Sequence, residues 1–237
     1  MRPVADLHTH TLASSHAYST IQENARAARE KGLLALATTD HGPRMPHAPE
    51  AFYFGNLIVL PETIEGIRVI KGVEANIIDH DGSLDLPERY LKRLELVLVG
   101  LHTECLVPST VEENTTAVVR ALQNPLVHIL VHSGNPQFPL DYDRVVMAAA
   151  ECNKVIEINN SSFVRSRLGS KDNCARIARL CKKHGVTVCA DSDAHFSAHV
   201  GDLDEALRII EDAGVEPGKV LNLSIERVLG TLRVPTL

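Results

Sequence analysis

Seven short runs rich in β-branched residues and leucine, mostly separated by helical patterns, constrain this chain more than any other feature. They cover residues 4–7, 33–39, 68–73, 95–101, 126–131, 154–158 and 186–190. Such runs alternating with helices predict a parallel sheet, because each return to the same edge needs a crossover. Ser19-Thr20-Ile21-Gln22 reads as a capping box for a helix that runs to Lys31, with Gly32 just past its end. Helical periodicity also marks 112–123, 141–152 and 170–184, the last ending at Gly185, and then 202–213 and 224–232. Seven strand–helix units come close to the count of a closed α/β barrel of the TIM type. No repeat or flexible linker interrupts them, so residues 1–237 are expected to form one domain. Residues 42–66, rich in proline early and in aromatics later, match no element.

Composition narrows the function. An apolar fraction of 44% is ample for a core. No apolar run approaches the roughly 18–20 residues that span a bilayer, and the first residues lack the apolar segment of a signal peptide. A cytoplasmic protein without a membrane partner is the expectation. The 24 basic and 30 acidic side chains leave a net charge of −6. Without a basic cluster, a grip on long nucleic acid is not expected. The five cysteines form no Cys-x-x-Cys pair and read as reduced structural thiols. Twelve histidines outnumber the five phenylalanines and four tyrosines. That excess needs a chemical reason.

The reason lies at the C-terminal end of each run. After the first come His8 and His10, on one side of an extended segment together with Asp6, and His16 comes later in the same loop. The second run ends in Asp40-His41, the third in Glu74, the fourth in His102 and the fifth in His132. The sixth delivers Asn159-Asn160, and the seventh Asp191, Asp193 and His195. A lone strand-end histidine is more often a hydrogen-bonded structural residue. Recurrence at equivalent positions is different, because the C-terminal ends of barrel strands converge on one face. His8, His10, His16, His41, Glu74, His102, His132, Asp193 and His195 are therefore candidate metal ligands. One tetrahedral ion takes about four ligands, so two ions suffice and three become natural if Glu74 bridges a pair. Nitrogen and oxygen donors suit zinc first, with manganese or iron as alternatives.

Other residues are assigned by place. His128 reads as a core residue with a hydrogen-bond partner, and His184 as a helix C-terminus. Most aromatics, among them Tyr18, Phe52, Tyr53, Phe54, Phe138 and Phe196, come after strand ends, where several are expected to wall the pocket, the alternative being that they cover the rim or form a subunit contact. Arg165 and Arg167 lie beyond the sixth run, where a planar guanidinium could hold an anionic group beside the cations. His199 could line the mouth. These three are the candidate substrate-binding residues.

The motifs Asp6-Leu7-His8-Thr9-His10, Thr39-Asp40-His41-Gly42, Gly72-Val73-Glu74-Ala75, His132 and Ser192-Asp193-Ala194-His195 resemble, in type and order, those of the PHP (polymerase and histidinol phosphatase) superfamily. Within it, His16-Ala17-Tyr18-Ser19 and Glu157-Ile158-Asn159-Asn160-Ser161-Ser162-Phe163 look like the small YcdX-like phosphatases. The resemblance implies a distorted (β/α)7 barrel with a trinuclear centre, usually zinc or manganese, that hydrolyses phosphoesters. Carried over by motif, His8, His10, Glu74 and Asp193 would hold one ion. Glu74, His102 and His132 would hold the second, and His16, His41 and His195 the third. The expected reaction is attack of a metal-activated water on a small phosphomonoester, with Glu74, Asp193 and His195 at the catalytic core. The alternatives are an amidohydrolase, a nuclease, and a non-catalytic metal-binding regulator.

Overall fold

A computed structural model describes residues 1–164, 166–233 and 235. Among the described residues eight strands run in chain order: β1 (Ala5–Asp6), β2 (Ala35–Thr38), β3 (Thr63–Ile64), β4 (Ile67–Asn76), β5 (Leu96–Gly100), β6 (Ile129–Leu130), β7 (Val155–Asn159) and β8 (Val188–Asp191). Seven pair in parallel in the order β1-β2-β4-β5-β6-β7-β8, and β3 pairs antiparallel with β4. The two ends of the sheet meet through a parallel bridge between Thr9 and Ala194. The result is the nearly closed, distorted (β/α)7 barrel that the alternation predicts.

Asn222 secures that seam. Its Nδ2 donates to the carbonyls of Ala5 (3.1 Å) and Ala190, while its Oδ1 accepts from the Ala190 amide (3.3 Å). The side chain is fully buried, so a polar group that would otherwise carry a desolvation cost becomes a strap between β1 and β8.

Strand alternation separates two apolar layers. Ala5, Ala35, Ile70, Leu98, Ile129, Val155 and Cys189 pack together in the lumen. Val73, Val97, Leu130, Ile156 and Val188 face the other way, into a larger cluster with the helices. Those helices are α1 (Ile21–Glu30), α2 (Ala51–Asn56), α3 (Glu88–Leu91), α4 (Val111–Gln123), α5 (Tyr142–Glu151), α6 (Ser161–Val164), α7 (Ser170–His184), α8 (Asp204–Asp212) and α9 (Ile225–Thr231). Residues 42–66 contain α2, β3 and a short 3-10 turn. The cap of α1 sits one residue later than expected: Thr20 and Glu23 form the reciprocal box, while Ser19 Oγ accepts from the Ser197 amide. No described helix is long and apolar enough to cross a membrane.

His128 lies before β6, and its Nδ1 accepts from the Val97 amide at 3.0 Å. Burial, then the positive charges of Arg233 and Lys154, push its pKa down to about 4. Its stabilising effect is complete above the ordinary value of 6.5 and is lost as pH falls towards 4, since the unfolded chain binds the extra proton there. Acidification from pH 7 to pH 5 should cost about 2 kcal/mol through this residue alone. Urea unfolding of chelated protein at both pH values checks this. A His128→Gln variant that loses as much stability as the parent would refute it.

Candidate active site

At the C-terminal face of the barrel the side chains gather around Glu74, which points inward from β4 and is wholly buried. Its Oε1 lies 2.6 Å from His132 Nε2 and 3.2 Å from His102 Nε2. Its Oε2 lies 2.7 Å from His41 Nδ1, 3.3 Å from His8 Nε2 and 3.4 Å from His10 Nε2. Asp193 closes the cluster from the end of β8, with Oδ1 3.2 Å from His10 Nε2 and 3.6 Å from His8 Nε2. His195 Nδ1 is 3.5 Å from the same oxygen. His16 reaches in from the loop after β1, its Nε2 3.2 Å from His41 Nε2. All nine candidate ligands therefore lie in one cluster. His132 and Asp193 enter it with φ of 33° and 51°, a left-handed backbone that non-glycine residues hold only under surrounding constraint.

Hydrogen bonds behind the cluster fix which imidazole nitrogen carries the proton. His8 Nδ1 donates to Glu157 Oε1 at 2.7 Å, which leaves Nε2 as the nitrogen that faces Glu74. His10 is set through a hydroxyl. Ser14 Oγ donates to Asp40 Oδ1 (2.7 Å), so it must accept from His10 Nδ1 (3.1 Å). Again Nε2 faces inward. Asp40 is itself held by the Thr11 amide and hydroxyl and by the Tyr53 hydroxyl, at 2.7–2.8 Å.

The electrostatics prepare ligands. Burial, reinforced by His195 and His41, holds the His10 pKa well below its ordinary value. Burial and neighbouring imidazoles lower His16 to about 4, and burial with Arg167 lowers His132 to about 3. Burial opposes ionisation of Glu74 and Asp193. It is outweighed by His41, His102 and His8 around the first and by His8 and Arg167 around the second, so both stay well below the usual carboxylate range. His8 is the exception: burial opposes its charge, but Glu157, Asp193 and Glu74 raise its pKa well above 6.5, so a cation must displace the proton on Nε2.

A cation fits this set. His8 Nε2, His10 Nε2, His41 Nδ1, both nitrogens of His102, Glu74 Oε2 and Asp193 Oδ1 are buried with no hydrogen-bond partner. Each such orphan ordinarily costs about 1–3 kcal/mol, and here they converge. Among the described residues three groups have ligand atoms within 4.8 Å of one another: His8, His10 and Asp193; His41, Glu74 and His102; His10, His41 and His195.

A model of the PHP domain matches residues 6–213 of the sequence. The chain belongs to the PHP family. It is 53% identical over 229 residues to a probable phosphatase of Thermoanaerobacter sp. (strain X514), covering 96% of this chain and 94% of that one. A probable phosphatase of Acetivibrio thermocellus is 51% identical over 227 residues, with the same coverage. Among solved structures, the histidinol phosphate phosphatase of Lactococcus lactis, complexed with zinc, L-histidinol and phosphate, superposes with a TM-score of 0.64. At 16% identity, with 91% of this chain and 95% of that one covered, the likeness is one of fold.

In this PHP chain the cluster floors an open cavity of about 650 Å³. Arg167 lines it, and its Nη1 donates to Asp193 Oδ2 (2.9 Å) and Ser166 Oγ (3.1 Å). Ser161 lies beside Ser166, with 3.3 Å between the hydroxyl oxygens. His199 also lines the cavity, its Nδ1 3.3 Å from Asp202 Oδ2. Arg165 lies outside the described residues.

Several expectations need correction. Asp6 does not join His8 and His10; its carboxylate accepts from the Ser192 amide and hydroxyl and from the Gly201 amide. Among the aromatics after the strands, Tyr18 and Phe196 line the cavity. Phe54 and Phe138 are instead buried in the core. Glu157 was missed as a functional residue. The signal was there, since a strand read over 154–158 buries a lone carboxylate in mid-run.

Proposed function

We propose that this chain is a metal-dependent phosphatase that hydrolyses phosphomonoesters, with three cations held by the nine residues around Glu74. The observation that carries the reading is the set of orphaned imidazole and carboxylate atoms beside an arginine-and-serine wall on one cavity. The relatives named probable phosphatases, at more than half identity along nearly the whole chain, support it. The Lactococcus lactis enzyme, crystallised with zinc, supports that metal as the first choice. Glu74 would bridge, with Oε1 towards His102 and His132 and Oε2 towards His8 and His10. His16, His41 and His195 would complete the third position.

Bound divalent cations supply charge to the phosphoryl oxygens and acidify water. The protein's own groups do the rest. Arg167, with its planar fork, holds the phosphate from the β7 side, helped by the hydroxyls of Ser161 and Ser166. The Arg167 bond to Asp193 Oδ2 keeps Oδ1 turned to the imidazoles. His199, with Nδ1 towards Asp202, would as an imidazolium present Nε2–H at the mouth and give that proton to the leaving oxygen.

Hydrolysis of p-nitrophenyl phosphate by purified protein tests the proposal, before chelation, after it, and after zinc or manganese is restored. Activity should vanish and return. Protein shown to contain metal that hydrolyses neither this nor any of a panel of phosphomonoesters would overturn the reading. Arg167→Ala should raise KM for phosphate esters about tenfold, the cost of one lost charge-assisted hydrogen bond. An unchanged KM would remove Arg167 from the phosphate site.

A further inference from the structure

A phosphate fills only a small part of the 650 Å³ cavity, so most of its wall faces the alcohol half of a substrate. The strand order fixes what that half meets. The seam between β8 and β1 adjoins β7, which carries the phosphate wall, and β5 lies across the barrel from the seam. At the seam the Tyr18 amide donates to the His195 carbonyl at 2.8 Å, which sets Tyr18 beside Phe196 on neighbouring segments. Both rings line the cavity and both are open to solvent, at 71% and 47% exposure. Among the described residues the Tyr18 ring packs on no other aromatic; Phe196 has only the edge of His199, at 6.2 Å. Rigid aromatic side chains bind a planar partner with little conformational entropy to lose. Across the mouth, on the loop after β5, stands the exposed carboxylate of Glu104, accepting from the Thr103 hydroxyl at 3.1 Å. A second anion on the substrate would meet like charge there.

We propose that the site selects phosphomonoesters of alcohols that carry a planar ring and no second anion, with Tyr18 and Phe196 taking the ring and Glu104 turning the anion away. This rests on the phosphatase reading above.

The test compares kcat/KM of metal-replete protein for 2-phenylethyl, 2-cyclohexylethyl and 2-(4-carboxyphenyl)ethyl phosphate, whose leaving alkoxides are closely matched. The phenyl ester should exceed the cyclohexyl ester about three- to tenfold, the range of one aromatic contact. It should exceed the carboxylated ester about tenfold at low salt, and by less as salt screens Glu104. Tyr18→Ala and Phe196→Ala should each bring the phenyl-to-cyclohexyl ratio towards one, and Tyr18→Phe should restore it. Glu104→Gln should improve the carboxylated ester at least about threefold relative to the phenyl ester. Equal rates for phenyl and cyclohexyl esters, or a ratio unmoved by both alanine variants, would overturn the proposal and leave the phosphatase standing. Hydrolysis of none of the three, nor of p-nitrophenyl phosphate, would overturn both.

Discussion

Glu74→Gln is expected to yield a folded protein that retains little metal and hydrolyses phosphomonoesters at least about 10³-fold more slowly, at or beyond the upper range for losing one preorganised electrostatic contact. The substitution keeps the shape of the side chain. What it removes is the negative charge at the point where five imidazole nitrogens come within 3.4 Å. One of the two oxygens also becomes an amide nitrogen, a donor aimed at lone pairs that would otherwise hold a cation. The bridge is lost in both directions, because Oε1 and Oε2 serve different histidines. Metal content after dialysis and kcat/KM in added zinc or manganese are the two readouts. A variant that keeps its full complement of metal and its rate would remove Glu74 from the centre.

Much of this site was legible because a parallel barrel turns sequence order into position. Residues at the C-terminal ends of the strands all land on one face, so His41, Glu74, His102, His132 and Asp193 could be grouped without any knowledge of distance. Less legible was everything that depends on local backbone. The left-handed turns at His132 and Asp193 leave only a weak mark in residue type, since both tolerate such a φ but neither is the glycine that it favours. Without that turn, strand alternation would send His132 away from the lumen shared by Ile129 and Val131. Asp6 failed for the related reason that alternation cannot be extended through a strand as short as Ala5–Asp6. The cap of α1 slipped by one because Ser19, the better-looking cap, is engaged by a residue 178 positions away. Partners behind the cluster were also out of reach: Ser14, Asp40 and Tyr53 meet His10 only through the fold.

Glu157, a further partner behind the cluster and one whose lone carboxylate in mid-strand was open to reading, carries the second large effect. Glu157→Gln looks conservative, yet each of the three groups that bond Glu157 is a donor: His8 Nδ1 at 2.7 Å, the His132 amide at 2.8 Å and Asn159 Nδ2 at 3.1 Å. A carboxylate accepts from all of them. A glutamine cannot, because its NH2 must face one side or the other. Turned towards His132 and Asn159, it sets donors against donors in a buried site. Turned towards His8, it forces the ring to accept at Nδ1 and carry its proton on Nε2, the nitrogen that faces Glu74 and Asp193. Either outcome degrades the centre without removing a ligand. Metal affinity should fall about 10–100-fold, the usual cost of losing such an outer partner, with a parallel fall in kcat/KM at limiting metal. Chelator competition gives the affinity, and the imidazole nitrogen chemical shifts of His8 report which nitrogen is protonated. A variant with native affinity and His8 still protonated at Nδ1 would show that Glu157 only fills space. If instead the proton moves to Nε2 and affinity falls with it, the residue is a positioning group, and Glu157→Asp should then recover the native tautomer in part.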